Sequence, residues 1–203
     1  MNLRADILKS NRLLVLGDQI IYSGVSFATT IYLGRLLTPS DFGIYSTIIL
    51  SIYLVIGLGN AIIIQPFQVS DKAFKASKSY SNFLFFTQVL FLMLTLLVTY
   101  VLYVCIHISG YHFLSLAFMV SGMILHDYFR KYYLATLEIW RVVIIDGIVV
   151  LSQITAIIYL CSVECSGLES IFLLFGLSYL LAVIFSVYCL KPHLQKLARW
   201  KAF

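Results

Sequence analysis

The sequence predicts an all-α, multi-pass membrane protein of six transmembrane helices. Three observations predict it. Apolar residues make up 61% of the 203 positions and charged residues only 11%, with a mean hydropathy of +0.96. A water-soluble fold must keep a polar outside and could not hide this much apolar surface. Charges fall in short gaps that cut the chain into runs long enough to cross a bilayer. The basic residues in those gaps also alternate between two sides, as membrane orientation requires.

A hydrocarbon core of about 30 Å needs about 20 helical residues, and six runs meet that need. The first covers about 13–34, between Arg12 and Arg35, and the second about 43–66, between Asp41 and Asp71. From Ser79 to His126 there is no Lys, Arg, Asp or Glu. That stretch holds two passes, about 80–106 and 112–130, with His107 to His112 supplying the turn. The fourth span is short in apolar residues and must run on past Tyr128 and Phe129 towards Lys131, whose ammonium can snorkel to the interface. The fifth covers about 142–163 and the sixth about 170–190. Pro39, Pro66 and Pro192 fall at span ends, so no mid-membrane helix break is expected. The whole chain reads as one transmembrane domain, with no soluble insertion or internal repeat.

With six spans, one side of the membrane collects 13 of the 14 Lys and Arg residues, and the other has only Arg35. The positive-inside rule places the first side, with both termini, in the cytoplasm. The alternation needs all six spans, so it supports their number independently. Phe42, Tyr45, Tyr80, Phe83, Tyr128, Tyr132, Tyr133, Trp140 and Trp200 lie where interfacial aromatic belts are expected.

Several function classes are excluded or disfavoured. The net charge of +5 is spread over short connections, so it forms no patch for nucleic acid. The run after Arg12 is too long for a signal peptide, contains Asp18 and lacks a small-residue cleavage site. No phosphate loop, zinc-protease helix or nucleophile elbow is present, and no catalytic residue, metal or cofactor is assigned. Cys105, Cys161 and Cys165 fall near outer span ends, and Cys189 near the inner face. A bridge from Cys105 to Cys161 or Cys165 in an oxidising compartment is one reading. Small buried apolar side chains are the other, and the favoured one.

Polar residues inside spans are costly and often face a cavity or a partner. Asp18 and Asp146 both sit in the inner third of inside-to-outside spans, each soon after a basic residue, Arg12 or Arg141. Gln19, Ser23, Ser26 and Thr30 form a stripe on the first span. Gln153 shares a face with Asp146, and Asn60 follows Gly57 and Gly59 in the second span. These eight residues are the candidates for lining a hydrated cavity, with ordinary helix packing as the competing reading for the Ser and Thr residues. His126, beside Asp127, is expected at the interface.

The segment Leu33-Gly-Arg-Leu-Leu-Thr-Pro-Ser-Asp-Phe-Gly-Ile-Tyr45 resembles the polysaccharide and oligosaccharide flippases of the MATE-like multidrug/oligosaccharidyl-lipid/polysaccharide exporter superfamily. Arg35, Pro39, Asp41, Phe42, Gly43 and Tyr45 carry the resemblance. In physical terms, Thr38 to Asp41 makes a tight outer turn, Asp41 caps the second helix and Gly43 permits close packing. Gly59 to Gln65, and Asp127 to Tyr133 with Trp140, Arg141 and Asp146, are similar to further family segments.

The resemblance implies the N-terminal six-helix lobe of a flippase for polyprenyl-linked oligosaccharide in the bacterial inner membrane, acting in polysaccharide biosynthesis and export. It implies two such lobes around a central cavity. This chain is expected to supply one and to pair with a second lobe, its own copy or another half-protein; Gly17, Gly24 and Ala28 offer a small-residue face for that pairing or, alternatively, for packing within the lobe. Arg130, Lys131 and Arg141 are then candidates for contacting the carrier pyrophosphate, because guanidinium suits phosphate. The alternative is a non-transporting accessory or assembly membrane protein, or a truncated remnant of a flippase.

Overall fold

The computed structural model describes residues 3–71, 77–106, 112–163 and 167–194, with side chains from 13 to 189 within those ranges except 78, 106 and 163. Six long helices make up the described chain, and it has no strand. They are α1 (Leu3–Leu36), α2 (Pro39–Gly59), α4 (Lys78–Ile106), α5 (Phe113–Ala135), α6 (Ile139–Val163) and α7 (Leu168–Leu194). A π-helical turn (Asn60–Ile64) joins α2 to a short α3 (Gln65–Val69). Five segments are long and apolar enough to cross a membrane: Leu13–Leu36, Pro39–Val69, Ser79–Cys105, Ile139–Ser162 and Leu168–Cys189. The protein is therefore an all-α, multi-pass membrane protein.

The remaining long helix is α5, the expected fourth span. It runs five residues past the predicted end at 130, and its second half carries His126, Asp127, Arg130 and Lys131. Those residues make it too polar for lipid, and it does not meet lipid on most sides. Ser115, Met119, Met123, His126, Phe129 and Tyr133 are all buried. The other helices shield α5: α7 packs on it most extensively, and α4, α6 and α2 cover it elsewhere, while α1 packs on α6. The polar residues that weakened this span in the sequence are the ones the bundle encloses.

The α5–α7 crossing rests on two glycines. A Cβ on Gly122 would stand 2.8 Å from the carbonyl oxygen of Gly176, and a Cβ on Gly176 would stand 2.6 Å from the backbone of Met119. Without side chains the two backbones approach closely enough for the dispersion contacts that hold helices together in lipid. Gly17 and Gly24 on α1 meet nothing within 4 Å, so they do not pack inside the lobe.

Local chemistry sets the helix ends. The Thr38 hydroxyl accepts from the Asp41 amide (3.2 Å) and donates to Asp41 Oδ2 (2.8 Å), so Thr38, not Asp41, is the N-cap of α2. Gly43 has open space around it and serves no close packing. Pro66 cannot donate to a helical ladder, and the turn before it widens so that the Gln65 amide bonds Asn60 O. α5 ends in a Schellman motif: Glu138 N–H to Tyr133 O (2.9 Å) and Leu137 N–H to Leu134 O (3.2 Å). Leu137 occupies the left-handed position at φ 63°.

Three residues assigned to interfacial belts are buried instead. Tyr45 stacks on Phe172, and Tyr128 and Tyr133 join Phe129 in an aromatic cluster. The π turn directs Phe67 into the same region, stacked on Tyr132 at 5.4 Å. The Tyr133 hydroxyl donates to Ser186 O at 3.0 Å. Aromatic spacing alone does not separate a belt from a bundle core, because both need large rings with one polar tip. Trp140 and Phe83 remain exposed, as a belt position requires. Trp200 and the 107–111 turn lie outside the described residues.

A buried ion cluster beside a polar cavity

The N-terminal halves of α1 and α6 run alongside the C-terminal half of α5. Arg130, one helical turn after His126, stands between two acids from the other helices. Its Nε donates to Asp146 Oδ2 at 2.5 Å. Its terminal nitrogen donates to Asp18 Oδ2 at 3.2 Å and to Gln19 Oε1 at 2.9 Å. His126 Nε2 approaches the other oxygen of Asp146 at 3.0 Å. Asp146 is 2% exposed, His126 3% and Asp18 9%. The ring of Tyr22 lies under the guanidinium at 5.4 Å and stacks on His126 at 5.9 Å.

Two carboxylates face one guanidinium here, so the acids outnumber the permanently charged base between them. Opposite charges out of water persist only when hydrogen-bonded in good geometry. The guanidinium, with five donors in a fixed fork, can satisfy both acids at once.

About two to three turns further along α1 and about two along α6 lies a cavity of about 280 Å³. Ser26, Thr29 and Thr30 of α1, Ser46 and Tyr53 of α2 and Gln153 of α6 give it polar walls. Met119, Met123 and Phe175 supply apolar surface, and no Asp, Glu, Lys or Arg lines it. Thr29 is 5% exposed, and its hydroxyl has no hydrogen-bond partner. Tyr179 joins the cavity to the cluster. It lines the cavity, its ring lies 5.4 Å from His126, and its hydroxyl interacts with Tyr22 and Gln153.

Compared with known protein families, curated proteins and solved structures, the chain gives no match.

Of the eight cavity candidates, Ser26, Thr30 and Gln153 line the cavity, and Asp18, Gln19 and Asp146 form the ion cluster. Ser23 is exposed on α1 and accepts from Gln19 Nε2 at 3.4 Å. Asn60 lies apart, in the π turn beside Gln88 and Asp127, next to a void of only about 10 Å³. Arg141 is not the partner of Asp146; Arg130 holds both acids, and the side chain of Arg12 lies outside the described residues. Lys131 pairs with Asp127 at 2.9 Å, and Arg141 pairs with Glu138 at 2.5 Å.

His126 was expected at the interface and is buried in the bundle. Its i, i+4 spacing to Arg130 was the available signal, since it puts imidazole and guanidinium on one face. Thr29, Tyr22, Tyr179 and Ser46 carried no signal, because single hydroxyls and aromatics are everywhere in this sequence. Cys105, Cys161 and Cys189 are free, so no Cys105–Cys161 bridge forms; Cys165 lies outside the described residues. Cys161 Sγ is instead hydrogen-bonded to the Tyr32 hydroxyl at 2.6 Å. Among the described residues, no group of His, Cys, Asp and Glu is placed to hold a metal ion.

Proposed function

We propose that the chain is a translocator lobe that moves a lipid-linked oligosaccharide across the bacterial inner membrane during polysaccharide biosynthesis and export. The observation that carries this reading is a polar cavity within the helix bundle, joined through Tyr179 to the Asp18–Arg130–Asp146–His126 cluster. Intramembrane charges are expensive and mark transport pathways more often than packing sites. The Arg35-to-Tyr45 segment, similar to flippases, points to the same class.

In this reading the cavity meets the glycan, and the cluster takes up one coupling cation. Uptake of a proton by the cluster would offset its excess of carboxylates and change the hold of Arg130 on α1. Contact with the carrier pyrophosphate falls to Arg141 and Lys131. Their carboxylate partners are neighbours on the same chain segment and partly exposed, so a phosphate can replace them cheaply. Arg130 is reserved for the acids. The uneven Lys and Arg count supports cytoplasmic termini. A second lobe, from another copy or another half-protein, would meet α1 where Gly17 and Gly24 lie unpacked.

The test follows lipid-linked oligosaccharide in cells lacking the gene, with sidedness read by an impermeant modifying reagent. Accumulation on the cytoplasmic leaflet, reversed by the chain but not by its Asp18→Asn variant at equal membrane levels, is the expected result. Normal export without the chain would favour an accessory or remnant role instead.

A further inference from the structure

The cavity carries more chemical information than a transport path in general requires. Its polar groups are neutral: three hydroxyls from α1, the Ser46 and Tyr53 hydroxyls from α2 and the Gln153 amide. The Thr30 hydroxyl is already committed to Ser26 O at 3.0 Å. The Thr29 hydroxyl is not committed, although it is 5% exposed. A buried hydroxyl without a partner is uncommon and calls for one from a ligand. Tyr45, Tyr53, Phe175 and Tyr179 add ring surface. Rings beside hydroxyls and an amide suit a molecule with apolar C–H faces and an equatorial rim of hydroxyls.

Size and charge narrow the ligand further. At about 30 Å³ per water, 280 Å³ is room for roughly nine waters, which suits one sugar ring. Thr30 on α1 and Leu50 and Tyr53 on α2 are exposed lining residues, so the cavity opens on the side where α1 and α2 meet it. No cation lines it, and the guanidinium of the neighbouring ion cluster is already shared by two carboxylates. An anionic ring would lose its water without gaining a counter-charge, and would sit beside a cluster that is itself short of positive charge.

We infer that this cavity binds a single uncharged pyranose ring and discriminates against the same ring carrying a carboxylate. The inference rests on the translocator reading for the choice of a sugar as ligand. The discrimination follows from the uncharged lining and the neighbouring ion cluster.

The test uses the full chain in phosphatidylcholine nanodiscs, with two probes that differ only at C6: methyl α-D-glucopyranoside and its uronate. Saturation-transfer NMR is expected to show binding of the glucoside, and binding of the uronate weaker by about tenfold or more. Thr29→Val should abolish the glucoside signal and Thr29→Ser should retain it. Tyr53→Phe, at the exposed rim, should weaken it without touching the core. Equal binding of both probes, preference for the uronate, or binding insensitive to Thr29→Val overturns the inference. Absence of glucoside binding overturns it too, while the leaflet assay in cells decides the translocator reading separately.

Discussion

Arg130 Nε lies 2.5 Å from Asp146 Oδ2, and this contact ties α5 to α6 where Asp146 has almost no access to solvent. The same guanidinium reaches Asp18 on α1, so a single side chain links three helices. Removing it leaves two acids facing each other without a cation. Arg130→Gln is therefore expected to cost about 3–5 kcal/mol, the range for breaking one partner of a buried pair. Asp18→Asn should cost much less, because Arg130 keeps Asp146 and Asp18 lies at the margin of the cluster. Thermal unfolding in nanodiscs ranks the two variants; equal melting temperatures would contradict the linkage.

The glycine crossing of α5 and α7 makes a second prediction. A methyl group at Gly176 has only backbone in its way, at 2.6 Å from Met119 N and Phe118 C. Backbone cannot swing aside as a side-chain tip can, so Gly176→Ala must separate the helices. Overpacking of this kind costs about 1–3 kcal/mol. Gly24→Ala, with nothing within 4 Å, is the matched control and should leave the unfolding temperature of the isolated lobe unchanged. A Gly176→Ala protein as stable as wild type would mean that the crossing is looser than described.

Leu137 offers a stabilising change. A β-carbon at φ 63° costs about 1–2 kcal/mol, and Gly removes that cost while losing about 0.5–1 kcal/mol to chain entropy. The side chain is 76% exposed, so little packing is lost. Leu137→Gly is expected to gain roughly 0.5–1 kcal/mol, read as a higher midpoint in reversible denaturation. A lower midpoint would show that the Schellman geometry does not hold in solution.

Membrane orientation can be read from cysteines already present. Cys105 is exposed at the end of α4, and Cys189 lies towards the opposite end of α7. With the other cysteines replaced by Ala, an impermeant maleimide added to intact cells should label Cys105 and spare Cys189 until the cells are permeabilised. The reverse pattern would invert the topology drawn from the Lys and Arg count.

What each level of structure decided can be seen at particular residues. The all-α, multi-pass class and the Thr38–Asp41 turn were legible in the sequence, because they depend on local hydropathy, charge and capping chemistry. Of the stripe on α1, Ser26 and Thr30 line a cavity, whereas Gln19 joins the ion cluster and Ser23 is exposed. The partner of Asp18 was not legible, since Arg130 is 112 positions away and nearer arginines were available on both sides. Nor were the buried states of Tyr45, Tyr128 and Tyr133, or the Gly122–Gly176 contact. In lipid every outward-facing position is apolar, so hydropathy marks which segments cross the membrane but not which face of each meets another helix. That choice is made by shape and by the pairing of a few polar groups, and both exist only once the helices are packed.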